Sequence, residues 1–221
     1  MCDQLATSIE HIPPRCIFPE KKDLPNGIDL RKNLMTVPSC DEHNSQKSGD
    51  DEYLLYILSM VFQSNKVGMH HYFTKIRRAI KRNPSVLKRI ANTAVPVNVK
   101  NFENGIVSKS YAINVEEDRF NGIIDKMARA IYYYHFNEKW LSLVRYQAEF
   151  LIATIDPKKV KELNDPLQDI TMKANGWFAN SPILGENPTV FKYQVLEGNH
   201  SKLMRLHFYE GCRILLIFNG E

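Results

Sequence analysis

Apolar residues recur at three- and four-residue steps through the middle of the chain, which is the spacing of an amphipathic helix. The stretch 41–63 carries such a stripe, and its acidic start at Asp41 and Glu42 suits a helix N-terminus. Stretches 70–83 and 116–136 repeat the pattern, and residues 84–94 predict a further short helix. We therefore expect several helices that pack against a core.

The last third of the chain changes to strand-like patterning. Runs rich in β-branched and aromatic residues at 144–155, 189–198, 202–211 and 212–220 predict strands, the last two joined by a tight turn at Glu210 and Gly211. Apolar and polar residues alternate over residues 105–115, which predicts a further strand. An antiparallel sheet packed with helices predicts the fold class α+β.

Residues 1–40 are punctuated by prolines, which disfavour long helices there. A compact unit of strands and loops is expected instead, with a short β-type run at 33–40. We divide the chain into an N-terminal unit over residues 1–63 and an α+β domain over residues 64–221. The second domain carries a basic helical segment and the C-terminal antiparallel sheet.

The composition of the 221 residues is globular, with 43% hydrophobic and 24% charged residues. No apolar run approaches the roughly 20 residues that span a bilayer, and the first residues do not read as a secretory signal. Four scattered cysteines are too few for a disulfide framework. These features predict a cytoplasmic protein with reduced thiols and no membrane partner.

Positive charge is concentrated in one part of the chain. Nine Lys and Arg residues and no Asp or Glu lie between Tyr53 and Phe102, although the whole chain carries only +4. This segregation predicts a polyanion partner, because Lys and Arg that face phosphates release condensed counterions. A solvated basic helix face is the alternative. The candidate nucleic-acid contacts are Lys47, Lys75, Arg77, Arg78, Lys81 and Arg82.

A set of polar residues near the N-terminus has an order and spacing that we find specific. Glu10 and His11 stand in "EHIPPRCIF", Asn33 follows His11 by twenty-two residues, and Asn44 comes eleven residues later in "NLMTVPSCDEHNSQKSGDDEY". Over residues 1 to about 55 this pattern resembles the HNH endonucleases. Their ββα-metal unit has a strand that ends in an acid-His pair, then a loop, a second strand and a helix.

The resemblance implies hydrolysis of a phosphodiester. His11 would be the general base that deprotonates water, and Glu10 would hold Mg²⁺ or Mn²⁺ together with the amide oxygen of Asn44. Asn33 would fix the loop and orient the strand that bears the base. Asp50 and Asp51 are helix-surface charges or a further ligand. Pro13 and Pro14 should end the first strand just after His11, because they lock φ and lack a backbone donor.

The same resemblance raises the expectation of a structural Zn²⁺ ion. Cys40 and His43 form one Cys-x-x-His pair, and Cys2 is the candidate from the other pair. Three ligands are one short of a closed tetrahedral site. Cys16 or a water would complete the shell, or zinc is absent.

We expect a metal-dependent HNH endonuclease that cuts nucleic acid, DNA rather than RNA, and the resemblance suggests an anti-phage defence or toxin-like effector. An activating partner protein or a homo-oligomer stays open. The alternative is a catalytically inactive, zinc-supported module that binds nucleic acid or protein. The missing zinc ligand favours this alternative, whereas intact Glu10, His11 and Asn44 argue against it.

Overall fold

The computed structural model describes residues 5–40, 48–61, 63–82, 84–100, 107–150, 156–199 and 201–220. It begins with two short antiparallel strands, β1 Ser8–His11 and β2 Thr36–Ser39, in which His11 lies opposite Thr36. Short 3-10 turns at Arg15–Ile17, Lys21–Asp23 and Pro25–Gly27 fill the loop between them. Helix α1, Ser48–Met60, follows. Strand β1 ends at His11, as the two prolines predict.

A long basic helical segment comes next. It consists of α2 Lys66–His71, a π-helical turn at Tyr72–Ile76, and α3 Arg77–Arg82. The side chain of Asn65 caps α2, because its Oδ1 accepts hydrogen bonds at 3.0 Å from the amides of Val67 and Gly68. Helix α4, Ser85–Asn92, then leads to the antiparallel strands β3 Val95–Lys100 and β4 Val107–Ala112. The sequence analysis did not predict β3.

The rest of the chain builds the main sheet and two long helices. These elements are α5 Glu117–Phe136, β5 Val144–Ala148, α6 Pro157–Phe178, β6 Leu184–Asn187, β7 Phe191–Glu197, β8 Ser201–Phe208 and β9 Cys212–Asn219. The five strands form an antiparallel sheet in the order β5-β9-β8-β7-β6. The fold class α+β is therefore confirmed. No helix in the described part of the chain has the length and apolar content needed to cross a bilayer.

One buried cluster joins the N-terminal strands, α1, α5 and one face of the main sheet. Val37 of β2, Leu54 of α1, Ile124 of α5 and Leu216 of β9 all belong to it. The cluster thus extends across the predicted boundary at residue 63, and the division into two domains stays a prediction.

Helix α6 covers the opposite face of the main sheet and was not predicted. Its Ala174 and Phe178 pack against Leu215 of β9. Beside this contact Arg205 forms a bidentate pair with Glu149, at 2.8 and 2.5 Å, and both side chains are almost fully buried. Pro166 lies inside this helix. Because proline normally disfavours a helix interior, the sequence pattern did not predict a helix here.

Tyr209, in the turn between β8 and β9, joins three distant parts of the chain. Its hydroxyl donates to the carbonyl of Ile17 at 2.6 Å, so the His71 Nδ1–H must be the donor in the 3.0 Å bond to the same oxygen. Burial raises the pKa of Tyr209 well above its ordinary value, which keeps the hydroxyl protonated. The backbone carbonyl of Tyr209 also accepts a hydrogen bond from the backbone N–H of Asn65.

Two glycines permit the close packing around Tyr209. A Cβ atom on Gly68 would lie 2.0 Å from the Ser64 Oγ and 2.8 Å from the Tyr209 Cγ. A Cβ atom on Gly211 would lie 1.7 Å from the carbonyl oxygen of Gln63. Helix α2 and the turn between β8 and β9 can approach each other because both positions lack a side chain.

We predict that Tyr209→Phe destabilises the protein. The change leaves the Ile17 carbonyl and the His71 Nδ1–H buried without their shared partner, which should lower the free energy of unfolding by about 2–4 kcal/mol. Urea unfolding measures the loss. Tyr134→Phe, at a hydroxyl-bearing side chain that is 47% exposed, is the control and should change stability by less than about 0.5 kcal/mol. Equal stability of the two variants would contradict the role of Tyr209.

We also predict that mildly acidic pH destabilises the fold through buried neutral histidines. Burial lowers the pKa of His71 and His207 from 6.5 to about 3. The unfolded chain binds protons below pH 6.5 and the native state does not, so stability is complete above 6.5 and falls toward pH 3. The slope is up to about 1.4 kcal/mol per pH unit for each histidine.

Urea unfolding at about pH 7.5 and about pH 5.5 should show this slope, at a pH where ordinary carboxylates are still ionised. His207→Gln should flatten it, because glutamine does not titrate. A change at an exposed side chain that has no titrating group, Asn92→Gln in α4, is the control and should leave the slope as in the native protein. A native stability that does not change across this interval would show the idea to be wrong.

Candidate functional site

A cavity of about 370 Å³, including its open mouth, lies where the end of β1 meets the first turn of α1 and the middle of α5. Its floor is apolar and buried, and is formed by Ile12, Leu54, Ile123 and Met127. Its rim carries the polar side chains of Glu10, His11, Asp50, Asp51 and Lys126. The described structure thus brings the predicted acid-His pair together with two carboxylates of α1.

The positions of the rim residues follow from local structure. Consecutive residues within a strand point to opposite faces of the sheet. His11 is the last residue of β1, where the strand geometry ends, so Glu10 and His11 can both line one cavity. Asp50 and Asp51 stand in the first turn of α1, where the helix dipole favours negative charge. Arg119 of α5 holds this turn in place, with its Nε 2.9 Å from Asp50 Oδ1 and an Nη 2.8 Å from the Gly49 carbonyl.

The surroundings of His11 favour its neutral form. Its half-buried position lowers the pKa of the imidazole from 6.5, and the positive charges of Arg15 and Arg31 lower it further, against the opposing effect of Glu10. A neutral imidazole has a lone pair that can accept a proton. His11 can therefore serve as a base near pH 7.

The rim also has the oxygen donors that a hard divalent cation prefers. Glu10, Asp50 and Asp51 contribute three carboxylates against the single exposed lysine, Lys126. Mg²⁺ is usually held by one or two carboxylates plus waters and substrate phosphate, so two of these carboxylates would be enough for it. Within the described ranges, no group of three or more His, Cys, Asp or Glu side chains has a metal-binding arrangement.

The structure places Asn33 away from any strand, in an exposed turn with φ of 51°. Asparagine tolerates this left-handed conformation better than most residues. Strand β2 begins three residues later, so Asn33 shapes the loop that leads into it. Its assignment to the catalytic set stays a prediction.

The predicted sites of Asn44, Lys47, Cys2 and His43 lie outside the described residues. Of the candidate zinc ligands, Cys40 and Cys16 are described. Cys40 is buried directly after β2, whereas Cys16 lies in the turn Arg15–Ile17, where its Sγ donates to the Asp51 carbonyl at 3.3 Å. The zinc site therefore also stays a prediction.

The predicted nucleic-acid contacts on the basic helical segment fall into two groups. Lys75 lies 3.5 Å from Glu20, and Arg78 lies 2.6 Å from Asp23, so both cations hold the N-terminal loop against the helix. A hydrogen bond from Lys22, together with the charges of Lys75 and Arg31, lowers the pKa of Glu20 to about 2. By contrast, the side chains of Arg77, Lys81 and Arg82 are exposed.

A second cavity, of about 610 Å³ including the open space at its mouth, lies next to the site and to this basic segment. Asp51 lines both cavities, and Lys75 and Ala79 of the segment line the second. The basic segment therefore approaches the candidate site through Lys75 and Ala79. Sequence reasoning missed Lys126, whose one signal is its place between the core positions Ile123 and Met127 of α5.

Comparisons of the chain with protein-family models, with curated proteins and with solved structures found no match.

We predict that the pKa of His11 lies below 6.5 and rises when Arg15 loses its charge. Arg15 is exposed, so Arg15→Gln removes a repulsive positive charge without disturbing the core. NMR titration of the imidazole, assigned with a His11→Ala sample, measures the midpoint. Lys21→Gln, at an exposed cation on the same loop, is the control and should leave the midpoint unchanged. A midpoint that Arg15→Gln fails to raise would contradict this electrostatic account.

Proposed function

We propose that the protein is a metal-dependent HNH-type endonuclease that hydrolyses phosphodiester bonds of DNA. The observation that carries the proposal is the convergence of Glu10 and His11 with Asp50 and Asp51 around one open cavity. The order of strand, loop, strand and helix that surrounds the cavity agrees with a ββα arrangement.

The donor set of the cavity supports metal dependence. Glu10, Asp50 and Asp51 bring three carboxylates to the rim, which suit a hard divalent cation. Lys126, Arg119 beside Asp50, and Arg15 and Arg31 near His11 offset much of their charge, so the oxygen donors, and not a negative rim, favour a metal. Glu10 and Asp51 would hold a divalent cation, and Asp50, which pairs with Arg119, would be a further ligand. When bound, such a cation stabilises negative charge on phosphate and leaving oxygens.

The chain's own residues divide the remaining work. The neutral imidazole of His11 would accept the proton of the attacking water. Lys126 would contact a non-bridging phosphate oxygen at the opposite rim. The apolar floor keeps water from filling the space beneath the reacting group, since its four side chains are buried. Arg77, Lys81 and Arg82 would contact the backbone of the same nucleic acid without reading its sequence.

We predict that purified protein nicks supercoiled plasmid DNA with Mg²⁺ or Mn²⁺ and that EDTA stops the reaction. Loss of a general base typically costs about 10²- to 10⁴-fold in rate, so His11→Ala should be slower by that factor. Glu10→Gln and Asp51→Asn should raise the concentration of Mg²⁺ needed for half-maximal nicking. Gel densitometry of the nicked form over time measures both effects.

The matched control is His135→Ala, at an exposed histidine near the end of α5. It should retain native activity, and thermal melts should show that all variants are folded. Equal nicking by His11→Ala and native protein would remove His11 from the mechanism. Nucleic-acid binding that survives EDTA, without nicking under either metal, would instead support the inactive binding module.

A further inference from the structure

Strands β3 and β4 form a two-stranded ribbon that is separate from the main sheet. Among the ribbon residues whose side chains are described, none is buried. One face is fully exposed and carries the cross-strand pairs Pro96–Tyr111 and Asn98–Lys109, with Tyr111 71% exposed. An isolated two-stranded ribbon is marginally stable in water, so such an exposed face suggests a partner that covers it.

The charge around the ribbon indicates what kind of partner fits. From Lys66 to Val115 the sequence has ten Lys and Arg residues and a single acid, Glu103. Lys88 and Arg89 are exposed on α4 directly before the ribbon, and Lys109 is exposed on β4. This surface is complementary to the phosphates of a nucleic acid.

The base of the ribbon is fastened next to the candidate site. The amide of Asn114 donates to Thr93 Oγ1 at 3.1 Å and closes the base, and the amide of Glu116 donates to the Tyr53 hydroxyl at 2.8 Å. Tyr53 follows Asp50 and Asp51 by less than one turn of α1. The base of the ribbon is therefore attached to the helix that carries Asp50 and Asp51.

The dimensions of the ribbon match one groove. Its strands are six residues long, which corresponds to roughly 20 Å. The major groove of B-form DNA is about 12 Å wide and admits a two-stranded ribbon. The major groove of A-form RNA is too deep and narrow for side chains to read. Asparagine and lysine side chains are among those that contact base edges in the major groove.

We propose that the β3–β4 ribbon enters the major groove of duplex DNA, with Asn98, Lys109 and Tyr111 facing the groove, and holds the duplex against the cavity. The inference rests on the proposed function for the role of the cavity, and it specifies the substrate as B-form duplex DNA.

The test measures binding without divalent metal, so that no cleavage occurs. Fluorescence anisotropy compares a DNA duplex of roughly two helical turns with an RNA duplex of the same sequence and with the single DNA strand. Native protein should bind the DNA duplex at least about tenfold more tightly than either competitor. Asn98→Ala should weaken duplex binding by about fivefold or more. Lys109→Gln should lower the slope of log K against log salt by about one.

Lys161→Gln removes an exposed lysine from α6 and is the control; it should bind like native protein. Because Asn98 and Lys109 are exposed, circular dichroism spectra and melting temperatures should match the native ones. Native affinity in both ribbon variants, or equal affinity for the three nucleic acids, would overturn the ribbon proposal even if the protein nicks DNA. Ribbon-dependent duplex binding without nicking under any metal would support the ribbon and overturn the nuclease.

Discussion

The hydroxyl of Tyr209 is the contact on which the arrangement of the chain depends. It lies in the turn of the C-terminal hairpin, yet it binds the carbonyl of Ile17 and the imidazole of His71, which belong to the N-terminal loop and to the basic helical segment. A buried hydroxyl with two such partners has one arrangement that satisfies every polar group. The loop after β1 is consequently held against the main sheet by a residue nearly two hundred positions later in the chain.

The candidate site is also built from distant parts of the chain. Its acid-His pair comes from β1, its further carboxylates from α1, and its lysine and half of its apolar floor from α5. The salt bridge between Arg119 and Asp50 joins the last two elements at the rim. The N-terminal unit thus completes its cavity with a helix from the predicted second domain. The charge balance of the rim is a property of the whole fold.

How far the sequence predicts this structure depends on whether local patterns are clean. The stripe of α5 and the runs of β-branched, aromatic and other apolar residues in β7, β8 and β9 are clean signals, and those elements lie within a few residues of their predicted positions. Helix α6 was missed because Pro166 interrupts it, although Asp156 and Pro157 form a good helix start. Strand β3 was missed because Pro96 stands inside it, and proline is tolerated there since the ribbon has free edges. The order of residues along the chain suggested that Glu10 and Asp51 lie close together. The position of Lys126 beside them could be learned only from the packing of α5.

Counting charges along the sequence overstates how many cations are available for a ligand. Lys75 and Arg78 form salt bridges with Glu20 and Asp23. These acids lie about fifty residues earlier in the chain, and sequence reasoning did not consider them as partners. Because these two pairs attach the loop after β1 to the basic segment, that segment stabilises the fold with one set of cations and presents another, Arg77, Lys81 and Arg82, to solvent. The two strands of the ribbon also lack acidic residues. They contact little of the rest of the protein, and the residue opposite Lys109 on the neighbouring strand is Asn98. The exposed cations therefore lie on α3, on α4 and on the ribbon, whereas Lys75 and Arg78 stabilise the fold.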